Sequence, residues 1–237
     1  MTLKVKVYAA GSLRKVLPVL FEQAGIEAEI EFGPSGVLKD RIAGGESVDL
    51  FFSANKMHGS SLAASGLSSE PIAFAHNELC LFGRSDVIGN RNPLQVMLDE
   101  QVRLGTSTPI DDPGGDYAFM AFDKAEMLQS GATAALKNKA LPLVGGKNSK
   151  IRDGSNSPVH VLFEKSLVDV FLGYKTTAQA VKSGIDGIEI VELSAKMQVQ
   201  AEYTVVVIRE SAQGALALDL LGSEESRNLL VSEGFSN

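Results

Sequence analysis

The chain has 237 residues, 44% of them hydrophobic and 22% charged, with 23 Gly and 8 Pro. This composition excludes collagen-like, disordered and disulfide-scaffold proteins and suits one large or two small domains, of which two are expected. Asp and Glu number 29 against 22 Lys and Arg, for a net charge of −7, the wrong sign for holding nucleic acid by phosphate neutralisation. The single Cys80 cannot close an intrachain disulfide, and with three histidines, His58, His76 and His160, it leaves no cluster at zinc-ligand spacing. No apolar run approaches the ~18 residues of a membrane span. The start, Met1 to Val7, lacks the charged and apolar regions of a leader, so the expectation is either a cytosolic protein or one whose leader has been removed.

Short apolar runs alternate with helical patterns, the mark of an α/β architecture with largely parallel strands. Val5 to Ala10 reads as a strand, Gly11-Ser12 as a turn, and Leu13, Val16, Leu17, Leu20 and Phe21 as a helix that Gly25 ends. Ile26 to Phe32 alternates as a second strand, and Gly33-Pro34-Ser35-Gly36 turns into a short helix through Val37, Leu38 and Ile42, stopped at Gly44-Gly45. Val48 to Ser53 is a third, buried strand. Leu79 to Phe82, Val102 to Gly105, Leu167 to Leu172, Ile188 to Val191 and the β-branched Tyr203 to Ile208 are further strands. Tyr117 to Gln129 is a helix, with Asp116 as its cap. Gly214 to Leu221 and Glu224 to Glu233 are closing helices, the second capped by Ser223.

Standard catalytic signatures are absent. Gly33 to Val37 fails the G-x-S-x-G elbow at its last position, and Gly145-Gly146-Lys147-Asn148 lacks the first glycine and the Ser/Thr of a phosphate-binding loop. No nucleophile–base pair is nominated, so an enzyme is not expected, and neither is a cofactor. What remains is a repeated element, a strand ending in small residues and then a serine at a helix start, at Ser12 and again at Ser35. Helix N-termini present unpaired N–H groups and partial positive charge, a serine adds a hydroxyl donor, and Gly11, Gly33 and Gly36 permit close approach of a ligand. The same serines also suit plain helix caps.

Ala9-Ala10-Gly11-Ser12-Leu13, Pro34-Ser35-Gly36-Val37-Leu38, Val48 to Ala54 and Leu172 to Ala178, together with the closing Leu216 to Phe235, resemble the corresponding blocks of the molybdate-binding proteins of ABC transporters. The blocks fall in family order and span nearly the whole chain. The resemblance implies a type II periplasmic-binding-protein fold, two α/β lobes with an oxyanion held in the cleft between them. Lobe 1 would comprise residues 1–80 plus 202–237 and lobe 2 residues 81–201. Ser12 and Ser35 fall on the family's two first-lobe oxyanion-binding serines, and Tyr174 on its second-lobe hydroxyl donor. Ser107, Asn55, Gly11 and Gly36 are further candidates for lining the site, although Asn55 also reads as an exposed helix cap. The loop Thr106 to Tyr117 departs from the family's short Asp-Pro segment and resembles a divergent branch whose ligands are less uniform.

The resemblance thus implies a monomeric solute-binding protein that captures molybdate or tungstate with neutral donors and passes it to a membrane permease from the periplasm. A small organic anion, a carboxylate or phosphate ester, is the alternative, and an Arg projecting into the site would favour it; Arg84 and Arg152 are the candidates, though surface arginines are commoner. A ligand-sensing effector domain is a third reading, against which stands the lack of a helix-turn-helix ahead of the first strand. Met57, Met97, Met120 and Met127 are expected in the core.

Overall fold

In a computed structural model, which describes residues 4–149, 151 and 157–236, the chain divides into two compact units, Met1–Asn77 with Ala201–Asn237, and Glu78–Gln200. In chain order the elements are β1 (Val5–Ala10), α1 (Leu17–Gln23), β2 (Ala28–Gly33), α2 (Ser35–Ala43), β3 (Leu50–Ser53), α3 (Lys56–Ala64) and the long β4 (Ile72–Arg84). There follow α4 (Ser85–Ile88), α5 (Pro93–Leu98), β5 (Leu104–Ser107), α6 (Pro113–Ala125), α7 (Ala132–Lys139), β6 (Leu141–Val144), α8 (Pro158–Glu164), β7 (Val170–Tyr174), α9 (Lys175–Gly184) and β8 (Ile188–Glu192). The chain closes with β9 (Gln200–Val207), α10 (Ala212–Leu221) and α11 (Glu224–Ser232).

In the first unit β1 is central, pairing parallel with β2 on one side and β3 on the other. Helices α1 and α2 supply the crossovers that parallel pairing requires. β9 pairs antiparallel with β3. In the second unit β5 lies between β6 and β7, parallel to both, while β4 runs antiparallel to β7 and β8. The sheets are therefore mixed, not largely parallel, because β9 runs against β3 and β4 runs against both β7 and β8.

One face of the first sheet packs Phe51 and Val206 against Leu38 and Ile42 of α2 and Leu62 of α3. An edge-to-face aromatic chain, Phe21–Phe52–Phe74–Tyr203–Phe235, fills further core of this unit. Such pairs stabilise beyond their buried area. The second unit is built around Phe82, Phe163 and Phe171 with Leu162 and Val168.

Several local expectations are corrected. The helix read from Leu13 to Phe21 is a 3-10 turn at Gly11–Leu13 followed by α1, which restarts so that Pro18 falls in its first turn, where the missing N–H costs nothing. The helix placed at Tyr117 to Gln129 begins earlier, at Pro113, for the same reason, and its cap is Asp112 rather than Asp116. Met97 is in the core, but Met57, Met120 and Met127 are exposed. Ser223 caps α11 as expected, accepting from Ser226 N at 3.1 Å.

Candidate functional site

The carboxyl ends of parallel strands are where open α/β sheets place ligands, because the following loops and helix starts converge there. In the first unit the register pairs Ala10 with Gly33, so Ser12 and Ser35, each two residues further on, leave the sheet side by side. Ser53 ends β3, whose Phe52 pairs with Ala9 of β1, and Ala54 and Asn55 follow it. The register thus brings three strand ends to one edge.

Neither serine is a helix cap. Ser35 is the first residue of α2, behind an N-cap of Pro34, and its Oγ accepts the backbone N–H of Ala54 at 3.2 Å. Ser12 sits inside the 3-10 turn, whose N-cap is Ala10, and its Oγ lies 2.7 Å from the hydroxyl of Tyr203. Tyr203 is fully buried, and Asn77 Nδ2 donates to its hydroxyl at 3.5 Å. In sequence Tyr203 read only as part of a β-branched strand. Its single signal was a phenolic hydroxyl in a buried run, a group that needs a partner. Gly11 opens the 3-10 turn with open space where a Cβ would stand, and Gly36 is buried in the first turn of α2.

Asn55 acts as the N-cap of α3, its Oδ1 accepting from Met57 N at 2.9 Å. Next to it, Ser53 Oγ donates to Asn55 O at 2.8 Å and lies 3.3 Å from His58 Nδ1. Burial, with Lys39 nearby, holds the His58 imidazole down to about 4, so it is neutral at pH 7.

In the second unit Ser107 ends β5 and Tyr174 ends its parallel neighbour β7, so the two leave the sheet at one edge. The pairing of β5 with β6 slips between Thr106 and Ser107, an irregularity that re-aims side chains at strand ends. A Cβ on Gly114, in the first turn of α6, would lie 3.2 Å from Ser107 Oγ and 3.4 Å from both Asp112 Oδ1 and a Tyr174 ring carbon. Ser107, Tyr174 and Asp112 therefore meet over the bare α-carbon of Gly114. The start of α6 is internally satisfied: Asp112 Oδ1 accepts Gly114 N at 2.9 Å, and Asp112 O accepts Gly115 N and Asp116 N at 2.9 and 3.3 Å. Asp116 instead accepts Ile110 N at 2.7 Å, and its burial raises the carboxyl above the ordinary range.

The remaining candidates stand apart. Arg84 pairs with Asp86 at 2.8 Å on the surface, and Arg152 lies outside the described residues. Cys80 is buried, which pushes its thiol up to about 12. Among the described residues no group of three His, Cys, Asp or Glu could hold a metal ion, and no helix is long and apolar enough to cross a membrane.

Residues 5–236 match a family model described as bacterial extracellular solute-binding protein. The uncharacterized protein PM1146 of Pasteurella multocida (strain Pm70) is 36% identical over 214 residues, which is 88% of each chain. The periplasmic molybdate-binding protein of Azotobacter vinelandii superposes with a TM-score of 0.75 at 18% identity, covering 99% of both chains. L-phospholactate-bound PEB3 superposes with a TM-score of 0.71 at 14% identity, covering 99% of this chain and 100% of that one; PEB3 is a Campylobacter jejuni protein. The likeness to these structures establishes the fold, that of the type II periplasmic binding proteins.

Proposed function

Because this chain belongs to the bacterial extracellular solute-binding protein family, we propose that it captures a small oxyanion, molybdate or tungstate, in the periplasm and hands it to the membrane permease of an ABC transporter. The observation that carries the reading is the hydrogen bond from Ala54 N to Ser35 Oγ. A backbone N–H can only donate, so Ser35 accepts it and keeps its own proton to donate outward. A hydroxyl held this way has its proton available for an anion. With Ser12 beside it and Ser107 and Tyr174 in the second unit, the candidate donors are neutral, which accords with a protein of net charge −7.

Neutral donors suffice energetically. Charge-assisted hydrogen bonds contribute about 1.5–3 kcal/mol each, and five to seven of them leave room, after desolvation and lost freedom, for the ~8 kcal/mol of micromolar affinity. Size and the scarcity of acceptors would then set selectivity.

One observation favours a second reading. Asp112 sets a carboxylate beside Ser107 and Gly114 and takes the Gly114 N–H for itself. A carboxylate repels a bare dianion but accepts from a ligand O–H, so a hydroxylated carboxylate, or a phosphate ester in its singly protonated form, fits the second unit better than molybdate does. L-phospholactate, bound by PEB3, a protein of the same fold, is a carboxylate and a phosphate ester.

A thermal-shift panel of molybdate, tungstate, sulfate, phosphate, lactate and a phosphate ester decides between them, since a ligand that binds only the native state raises the melting temperature. The first reading expects the largest rise with molybdate or tungstate. A rise with the phosphate ester or lactate alone supports the second, and no rise with any anion overturns both.

A further inference from the structure

The Ser12 hydroxyl is the terminus of a buried chain. Asn77 and Tyr203 are both fully buried, Asn77 Nδ2 donates to Tyr203 Oη at 3.5 Å, and Tyr203 Oη lies 2.7 Å from Ser12 Oγ. The Tyr203 ring is fixed by edge-on contacts with Phe74 and Phe235, with ring centres 6.3 and 5.2 Å away. It cannot swing to find another orientation without breaking this packing.

The direction of the protons along this chain follows from the chemistry of its ends. An amide nitrogen has hydrogens and no lone pair to accept with, so at this contact the Tyr203 oxygen is the acceptor. At the 2.7 Å contact with Ser12 either oxygen could be the donor; in the sense taken here Tyr203 gives its one proton to Ser12. Ser12 then accepts from inside the protein and its own proton points away from Tyr203. Ser35 is in the same condition for an independent reason, since it accepts from Ala54 N. In that sense two hydroxyls at adjoining strand ends are both left as outward donors by groups buried behind them.

We propose that Tyr203 is a positioning residue for anion capture: by donating to Ser12 Oγ it commits the Ser12 proton to the bound anion, with Asn77 fixing the sense of the chain. This assignment rests on the reading of the protein as an anion binder. Tyr203 touches no ligand in this account. It acts only through Ser12.

The test is a double-mutant cycle of Ser12→Ala and Tyr203→Phe, read by titration calorimetry with molybdate, and with lactate and a phosphate ester in parallel. Tyr203→Phe keeps the ring and its aromatic contacts and deletes the donor. The expected result is about tenfold weaker binding in Tyr203→Phe, as for loss of one hydrogen-bonded partner, and a double variant no weaker than Ser12→Ala alone. A purely structural role would lower the apo melting temperature and leave the dissociation constants unmoved. If Tyr203→Phe does not fold, Asn77→Leu removes the head of the same chain and is expected to weaken binding in the same direction. Wild-type affinity in Tyr203→Phe, or losses that multiply in the double variant, overturns the positioning role while leaving anion binding intact. A wild-type protein that binds none of these anions overturns the anion reading, and this assignment with it.

Discussion

Ser35 and Ala54 are joined by a hydrogen bond that ties the start of α2 to the end of β3, with Ser35 Oγ accepting the Ala54 N–H at 3.2 Å in a buried setting. Ser35→Ala removes the acceptor and leaves that N–H unpaired, at a cost of about 1–3 kcal/mol. The same substitution deletes an outward donor. Chemical denaturation and calorimetry are therefore both expected to register it, whereas a serine with only a structural task would change the first alone.

Gly114 and Gly115 adjoin in the first turn of α6 and have opposite surroundings. A Cβ on Gly115 would stand 2.5 Å from both Pro109 N and the Thr108 carbonyl carbon, so backbone would have to move. A Cβ on Gly114 meets only side chains, Ser107 Oγ at 3.2 Å being the nearest. Gly115→Ala is expected to destabilise the second unit by several kcal/mol, as overpacking against backbone does. Gly114→Ala is expected to fold with a loss of about 1 kcal/mol or less while covering the surface that Ser107, Tyr174 and Asp112 share. Urea denaturation separates the two, and Gly114→Ala should then bind its anion less well than wild type.

The fold class was legible because Val5 to Ala10, Ile26 to Phe32 and Val48 to Ser53 carry strand patterns separated by turn-marked helices, and because the family blocks around Ser12, Ser35 and Tyr174 are local in sequence. What was not legible is what those serines do. A serine before a helix pattern reads as a cap, since capping is a local transaction, whereas the partners of Ser12 and Ser35 lie 191 and 19 residues away. Asp112 was missed as the cap of α6 because Pro113 hides the helix start from hydrophobic periodicity. Periodicity likewise placed Met57, Met120 and Met127 inside, where the fold leaves them at the surface.

His58 gives the protein a pH signature. Its folded value, about 4, lies below the ordinary 6.5, mainly through burial and then through Lys39, with Asp40 opposing. The unfolded chain therefore binds the extra proton between these values. Stability from the neutral imidazole is complete above about pH 6.5 and is lost as pH falls toward 4, by at most about 3 kcal/mol. Urea midpoints measured from pH 7 to 4.5 should fall for the wild type, and more gently for His58→Gln. Parallel slopes in the two proteins would contradict the burial of a neutral His58 beside Ser53.

If the first unit holds an anion with neutral hydroxyl protons, Ser12→Gly removes one of them. Ser12 caps no helix, so removing its side chain uncaps nothing; it deletes the donor and also the partner of the Tyr203 hydroxyl, so the apo melting temperature is read beside the affinity. Titration calorimetry with molybdate, and with the phosphate ester in parallel, is expected to show binding weakened roughly ten- to a hundredfold, the loss of one charge-assisted hydrogen bond of about 1.5–3 kcal/mol. Wild-type affinity in Ser12→Gly would contradict the account.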